Sequence, residues 1–186
     1  MDAPGNYHTL DFDAAFHYQH SEQHNITFGG GYRAVQVEFD YLLADFDTNV
    51  TPEYLRVSAV EKERDSIINA YVQSQYQWNA MLTSVIGVKA EYFQHTHSYE
   101  LSPRVSAIYS MTHNHSVWAG IGRAVVAPSY MDNYTAYIEA YGPDEIYLSL
   151  PNKQIGNEDV WTGELGYRYL TDKFEFDSTF LSVIWK

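Results

Sequence analysis

Apolar and polar residues alternate one by one along most of this chain. In the first such run, Leu10, Phe12 and Phe16 fall on one side, and Asp11 and Asp13 fall on the other. A period of two is typical of a β-strand whose two faces meet different surroundings. Comparable runs recur and predict eight strands, at about residues 10–19, 25–34, 68–78, 82–92, 104–111, 116–126, 161–169 and 173–180.

The connections between these strands differ in length in a regular way. Short turns are predicted at 21–24, near 79, at 113–115 and at 171–172, whereas the other connections span 38–64, 94–101 and 129–157. In an up-and-down meander, successive connections lie at opposite ends of the sheet, so all the short turns share one rim. The pattern therefore predicts an all-β fold, an antiparallel up-and-down meander of about eight long strands. Tight turns on one rim and long outer loops on the other are typical of transmembrane β-barrels.

Two features favour a lipid-facing apolar side over a buried core. Runs of ten or more residues exceed the usual strand of about five or six and match the roughly 9 to 11 residues that cross a bilayer. Large aromatic residues lie near the predicted strand ends, where barrels carry aromatic girdles. They are Tyr76, Trp78, Trp118, Trp161, Tyr169, Phe174 and Trp185. A soluble barrel or sandwich with a solvated polar face stays open as the alternative.

The polar side of the predicted strands carries charges of both signs. If the apolar side faces lipid, these charges face a wet or plugged lumen. The predicted lumen-facing charges are Arg33, Lys89, Glu91, Arg104, Glu164 and Arg168.

Composition narrows the classes of partner. The chain has 24 acidic and 11 basic residues and a formal net charge of −13, so a nucleic acid is not expected as a partner. Cysteine is absent, which excludes disulfides and thiolate metal sites. No apolar run approaches the roughly 20 residues of a membrane helix, and the polar residues 1–5 do not resemble a signal peptide. Both observations suit a piece of a longer protein.

Four segments resemble the barrel of TonB-dependent outer-membrane receptors in order and spacing. They are residues 25–33 (NITFGGGYR), 102–104 (SPR), 118–129 (WAGIGRAVVAPS) and 158–168 (EDVWTGELGYR), and the resemblance covers residues 7–186. One departure is that Val125 or Val126 stands where members of the family often have an arginine before Pro-Ser.

The resemblance implies that the chain is a fragment of such a receptor's β-barrel domain, without the plug. Receptors of this kind form barrels of about 22 strands around a plugged lumen. The implied function is energy-coupled import of a scarce nutrient, such as a ferric siderophore, across the bacterial outer membrane. The implied partners are outer-membrane lipid, the plug domain and TonB of the full-length protein, and a small-molecule ligand. No cofactor is expected.

The resemblance also implies that ligand first meets the outer loops, of which 129–157 is rich in tyrosine. Tyr130, Asp132, Tyr134, Tyr137 and Tyr141 are the candidate ligand-binding residues. Aromatic faces with polar tips suit an organic chelate, although tyrosines on loops are at least as often ordinary surface residues.

Other functions receive less support. His95 and His97 lie two apart and would point to one face of a strand, which leaves haem or metal binding as a minor alternative; no metal site is predicted. The chain has no Gly-x-Ser-x-Gly or His-Glu-x-x-His motif, and carboxylates such as Glu164 and Glu175 are more simply partners of arginines, so no enzyme and no catalytic residue are predicted. The alternative function is a free-standing eight-stranded outer-membrane barrel with a structural or adhesive role, which requires the first and last strands to pair.

Overall fold

The fold consists of one long antiparallel sheet and one small hairpin, which lies between the sixth and seventh strands of that sheet in sequence. The computed structural model describes residues 5–39, 60–129, 133, 137–140, 146–149 and 152–186. The strands are β1 (Gly5–Ser21), β2 (His24–Phe39), β3 (Val60–Gln77), β4 (Leu82–Phe93), β5 (Ser98–Ser110), β6 (His115–Val126), β7 (Tyr137–Ala140), β8 (Ile146–Ser149), β9 (Glu158–Leu170) and β10 (Glu175–Trp185). The eight-stranded sheet has the order β1-β2-β3-β4-β5-β6-β9-β10, and β7 pairs with β8. The predicted meander of eight long strands is confirmed.

One rim of the sheet carries only short turns. They occupy residues 22–23, 78–81, 111–114 and 171–174. Polar side chains hold these turns: Asn79 Oδ1 accepts from the backbone N–H of Met81 at 2.8 Å and of Leu82 at 3.0 Å. Thr171 Oγ1 similarly accepts from the N–H of Phe174 at 3.0 Å. Side chains of this type close turns by replacing a backbone partner, which explains their position between strands.

At the opposite rim, the structure corrects the predicted boundaries of the connections. β2 continues to Phe39 and β3 already begins at Val60, so the predicted loop 38–64 is shorter at both ends. β5 begins at Ser98, which reduces the predicted loop 94–101 to a turn of residues 94–97. The strands β7 and β8 lie inside the predicted loop 129–157. The segment around Glu63 and Arg64 has polar residues on both faces, so its sequence does not alternate. Only its backbone ladder with Gln36 and Val37 shows that it is a strand.

The register keeps apolar residues in continuous rows across the sheet. Phe16 lies opposite Phe28, which lies opposite Val72, which in turn lies opposite Val88. The rings of Phe16 and Phe28 stack with their centroids 5.5 Å apart. We call the side that carries this row the apolar face and the other side the polar face.

The apolar face is not packed against a second layer in the described part of the chain. Phe180 is 70% exposed and Trp78 is 61% exposed, so neither lies in a dry interior. The buried apolar residues in the described ranges are Ala34, Val37, Phe93 and Val160. A sandwich or small barrel would bury this whole face, so the soluble alternative has no support in the structure.

An aromatic belt follows the short-turn rim of the apolar face, as predicted for Tyr76, Trp78, Tyr169 and Phe174. The ring centroids of Tyr76 and Trp78 are 4.9 Å apart, and those of Tyr169 and Phe174 are 6.2 Å apart. Trp118 does lie near the start of β6, but it is not part of this belt, because the register places it on the polar face, opposite Gly166. The faces of β6 are hard to distinguish by sequence because small residues occur on both sides, so only the register places this indole.

The eight-stranded sheet is open. Its order begins at β1 and ends at β10, and no pairing between these two strands occurs among the described residues. The free-standing closed barrel requires this pairing, so the structure does not support that alternative. No helix in the described ranges is long and apolar enough to cross a membrane.

Candidate functional site on the polar face

The predicted charges share the polar face, and each has an opposite charge nearby. Arg33 forms an ion pair with Asp11, its direct cross-strand partner, at 2.5 Å. Within β4, Lys89 Nζ lies 2.7 Å from Glu91 Oε1. Side chains two apart in a strand lie on one face, which explains the second pair.

The two remaining arginines of the prediction are paired as well. Arg168 binds Asp177, directly opposite on β10, at 2.8 Å. Arg104 on β5 reaches Glu164 on β9 at 3.4 Å, across the intervening strand β6. Gly120 makes this contact possible, because a Cβ at that position would lie 2.8 Å from Glu164 Oε1. The polar face therefore presents pairs of opposite charge rather than isolated ions.

A recess on this face lies over β1 to β4. An open cavity of about 690 Å³ is lined by Asp11, Asp13, Arg33, Ile67, Asn69, Tyr71, Lys89 and Glu91. Gly31 lies beneath it, and a Cβ there would be 3.0 Å from both Asp13 Oδ2 and Asn69 Nδ2. Gly29 and Gly31 thus let polar side chains of neighbouring strands converge. Charged, amide and hydroxyl groups line this recess, so its surface is suited to polar groups.

A smaller recess of about 270 Å³ lies beside the Arg104–Glu164 pair. Its lining includes Thr162 and two glycines, Gly120 and Gly122, which have no side chains to fill the space. Charged side chains line both of these recesses, and glycines lie in or beneath them.

Sequence reasoning missed a charged cluster at the rim opposite the short turns. Arg123 on β6 forms ion pairs with Glu100 on β5, at 2.7 Å, and with Asp159 on β9. The same guanidinium donates to the backbone oxygen of Leu101. A proline at 103 inside a strand was the available sequence signal, because proline interrupts strand pairing and leaves backbone acceptors to other donors.

One of the five predicted ligand-binding residues, Tyr137, lies within the described part of the chain. Tyr137 begins β7 and lies opposite Ser149 of β8. Tyr130, Asp132, Tyr134 and Tyr141 lie outside the described residues. The structure therefore neither brings these five residues together nor separates them.

Asn133 is described, between two of the predicted ligand residues. It is only 2% exposed, and its Oδ1 has no hydrogen-bond partner in the part of the chain that the structure describes. Its backbone N–H donates to the Ser129 oxygen at 3.2 Å. Buried acceptors without a donor are rare, so this connection contains at least one polar group with unused hydrogen-bonding capacity.

The histidine pair does not have the predicted strand geometry. His95 and His97 lie in the turn 94–97, and His97 has a positive φ of 52°, so the two side chains do not share a strand face. Among the described residues, no group of three or more His, Asp or Glu side chains could hold a metal ion.

Comparison with known proteins decides the family. A family described as TonB dependent receptor-like, beta-barrel matches residues 2–182. The chain belongs to this family of TonB-dependent receptors. A search of curated protein sequences found no match. The family is one of outer-membrane receptors.

Solved structures of TonB-dependent receptors share the fold at low sequence identity. The siderophore receptor PirA of Pseudomonas aeruginosa is 16% identical with a TM-score of 0.79 over 97% of this chain and 32% of its own. A mutant of the ferric enterobactin receptor of the same organism is 15% identical with a TM-score of 0.78, over 98% of this chain and 27% of its own. The FrpB iron transporter of Neisseria meningitidis is 15% identical with a TM-score of 0.68, over 95% of this chain and 29% of its own. The chain thus spans about a third or less of the length of these receptors.

Proposed function

We propose that this chain is part of the barrel wall of a TonB-dependent receptor that imports a ferric siderophore, or a similarly scarce chelated nutrient, across the bacterial outer membrane. The observation that carries the proposal is the contrast between the two faces of the sheet. One face is apolar, exposed and edged by aromatic rings; the other carries paired charges and open recesses.

The apolar face is suited to contact with lipid. Residues such as Leu165 and Phe180, which lie opposite each other, would be costly to expose to water over so large an area. Acyl chains remove that cost, and tyrosine, tryptophan and histidine at the rim suit the interface with head groups. The partner of this face is therefore outer-membrane lipid.

The polar face is suited to line the lumen. Arg33, Lys89, Glu91, Arg104, Glu164 and Arg168 then face water, the plug domain of the full-length protein or a passing ligand. Their mutual pairing lowers the cost of placing charges in a partly enclosed lumen. Asp13 forms no ion pair among the described residues, so it has a free carboxylate for a basic group of the plug.

The connection at 127–157 supplies the first contact with ligand in this proposal. Tyr130, Asp132, Tyr134, Tyr137 and Tyr141 provide rings and polar tips for an organic chelate. The receptor then delivers the ligand by energy coupling through TonB, and the chain itself performs no catalysis.

Uptake in cells tests the function directly. The full-length receptor that contains this segment is produced in a bacterial strain lacking its own siderophore receptors, and radioactive iron is supplied on catecholate or hydroxamate siderophores. We expect uptake of iron from one class and loss of that uptake when TonB is deleted. Absence of uptake and of binding for every ferric siderophore tried would refute the proposed ligand class.

The orientation of the faces is tested separately with labels. The chain has no cysteine, so Val105→Cys and Ser106→Cys each add a single reactive site on adjacent residues of β5. We expect a fluorophore at 105 to be quenched by lipid-soluble quenchers and one at 106 by water-soluble quenchers. The reverse result would show that the polar face meets lipid and would overturn the assignment of the lumen.

A further inference from the structure

The sheet is split between β5 and β6 at the rim opposite the short turns. Their backbone ladder runs from Ser110↔Ser116 to Arg104↔Gly122 and stops there. Both strands continue past that point, β5 back to Ser98 and β6 on to Val126. Pro103 is the residue at which the ladder ends, and proline has no N–H to donate to a neighbouring strand.

Arg123 occupies this split and joins three strands. From β6, its guanidinium donates to the Leu101 oxygen and to Glu100 Oε2 on β5, the latter at 2.7 Å, and to Asp159 Oδ1 on β9. The side chains of Arg123 and Glu100 are each only 17% exposed. Charge-assisted hydrogen bonds of this kind are stronger than neutral ones, and partial burial reduces competition from water.

A second polar layer lies close to the arginine along both strands and fastens two of the connections at this rim, 94–97 and 127–157, to each other. Asn157 Nδ2 donates to Ser98 Oγ at 2.8 Å, and Thr96 Oγ1 donates to Asn157 Oδ1 at 3.2 Å. Thr96 and Ser98 are themselves bonded at 2.8 Å. Asn157 is the last residue before β9, and Thr96 lies in the turn 94–97. The cluster therefore lies at the base of both connections.

We propose that Arg123 is a positioning residue that fixes the two ends of the 127–157 connection, where β6 ends and β9 begins, against the 94–97 turn, and so holds the base of the ligand-binding connection in place before ligand arrives. The proposal rests on the proposed function only for its link to ligand. Arginine suits the role because its planar group offers five donors in a fixed arrangement, whereas lysine is a flexible point charge. An ordered loop base reduces the conformational entropy that must be lost on binding.

The test compares Arg123→Gln with Arg64→Gln in the full-length receptor. Arg64 is an exposed arginine of β3 near the same rim, and it forms no ion pair among the described residues. Hydrogen exchange of backbone amides is measured in peptides covering 94–103 and 152–162. We expect exchange to accelerate by about tenfold in Arg123→Gln, because it loses two ion pairs, and to change by less than about twofold in Arg64→Gln.

The affinity for a ferric siderophore that the wild-type receptor binds is measured on the same variants. We expect it to fall by about fivefold or more in Arg123→Gln only. If Arg123→Gln does not fold, Glu100→Gln is used, since it keeps the arginine and its bonds to Asp159 and Leu101 and should show a smaller acceleration of exchange.

Equal exchange in the Arg123 and Arg64 variants would overturn the proposal. So would faster exchange with unchanged affinity, because the arginine would then support the wall without positioning the loop. A receptor that binds no siderophore refutes the proposed function, while the exchange comparison still decides whether Arg123 fastens the loop base.

Discussion

The indole ring of Trp118 lies against Gly166, its direct partner across the β6–β9 ladder, and it fills the space that a side chain would otherwise take. The guanidinium carbon of Arg168 lies 5.9 Å from the centre of the Trp118 ring, close enough for a cation–π contact. Arg168 in turn binds Asp177 on β10. Because Gly166 has no side chain, the Trp118 ring fits over it and contacts Arg168. The ring and the Arg168–Asp177 ion pair thus connect β6, β9 and β10.

This arrangement predicts opposite effects for two glycines of the same strand. In Gly166→Ala the new methyl group overlaps the Trp118 ring, whereas in Gly163→Ala it has no atom within 4 Å. Overpacking usually costs about 1–3 kcal/mol, while replacing an unconstrained glycine by alanine stabilises by about 0.4–1 kcal/mol. Denaturant unfolding of the purified receptor measures both.

Adding Trp118→Ala to Gly166→Ala should restore part of the lost stability, because it removes the overlapping ring. Equal stability of the two alanine variants at 163 and 166 would contradict the packing of Trp118 on Gly166.

Adjacent residues of β3 test which face meets lipid in energetic terms. Val72 lies in the apolar row between Phe28 and Val88, and Gln73 lies on the polar face. An arginine facing lipid near the bilayer midplane costs about 2–4 kcal/mol. We therefore expect Val72→Arg to lower the free energy of unfolding by about that amount, and Gln73→Arg to change it by less than about 1 kcal/mol.

The measurement is unfolding from lipid bilayers or detergent micelles, with the amount of protein assembled in the outer membrane as a second readout. Similar losses in both variants would show that the two faces have similar surroundings, contrary to the barrel geometry.

The ligand-binding proposal predicts losses of affinity for substitutions in the 127–157 connection. If Tyr137 contacts ligand, Tyr137→Ala lowers the affinity for a ferric siderophore by about tenfold or more, which is typical of an aromatic hot spot. Tyr137→Phe removes only the hydroxyl, so it distinguishes the contribution of the ring to affinity from that of the hydroxyl. The same alanine scan covers Tyr130, Asp132, Tyr134 and Tyr141.

Tyr99→Ala is the matched control for this scan. Tyr99 is 84% exposed near the start of β5, on the apolar face, and its ring contacts Tyr92 at 4.7 Å. Its replacement should leave ligand affinity unchanged. If none of the five loop variants binds ligand more weakly than this control, the assignment of the ligand to this connection is wrong.

The ion pairs of the polar face predict small but measurable couplings. In a double-mutant cycle, Asp11→Asn and Arg33→Gln should couple by about 0.2–1 kcal/mol, the range for exposed pairs. Their side chains are 47% and 57% exposed. The matched cycle with Asp13→Asn should show a coupling near zero, since Asp13 forms no ion pair with Arg33 in the described structure. Raising the salt concentration should weaken only the first coupling.

A coupling of Asp13 as large as that of Asp11 would show that the two carboxylates exchange places in the full-length barrel. The unfolding free energy of the four variants in each cycle gives this comparison.

The sequence was sufficient for the strands and their faces because alternation is a local property. Each residue's side is set by the pleat of its own strand, so the rows through Phe16 and Asp11 could be assigned before any pairing was known. The six predicted lumen-facing charges share one face for the same reason. The residues at 60–67 were missed as part of a strand because positions 61–66 are all polar, so no alternation marks them.

What only the tertiary structure decided is which residues meet across strands. Arg123 binds Glu100 and Asp159, which are 23 and 36 positions away in sequence, and neither contact follows from the period of any one strand. The place of Trp118 over Gly166 likewise depends on the register between β6 and β9. The sequence by itself determined that long two-faced strands form and that their short turns share one rim. The register between neighbouring strands, the split at Pro103 and the arginine that fills it depend on pairing between distant segments, which alternation does not encode.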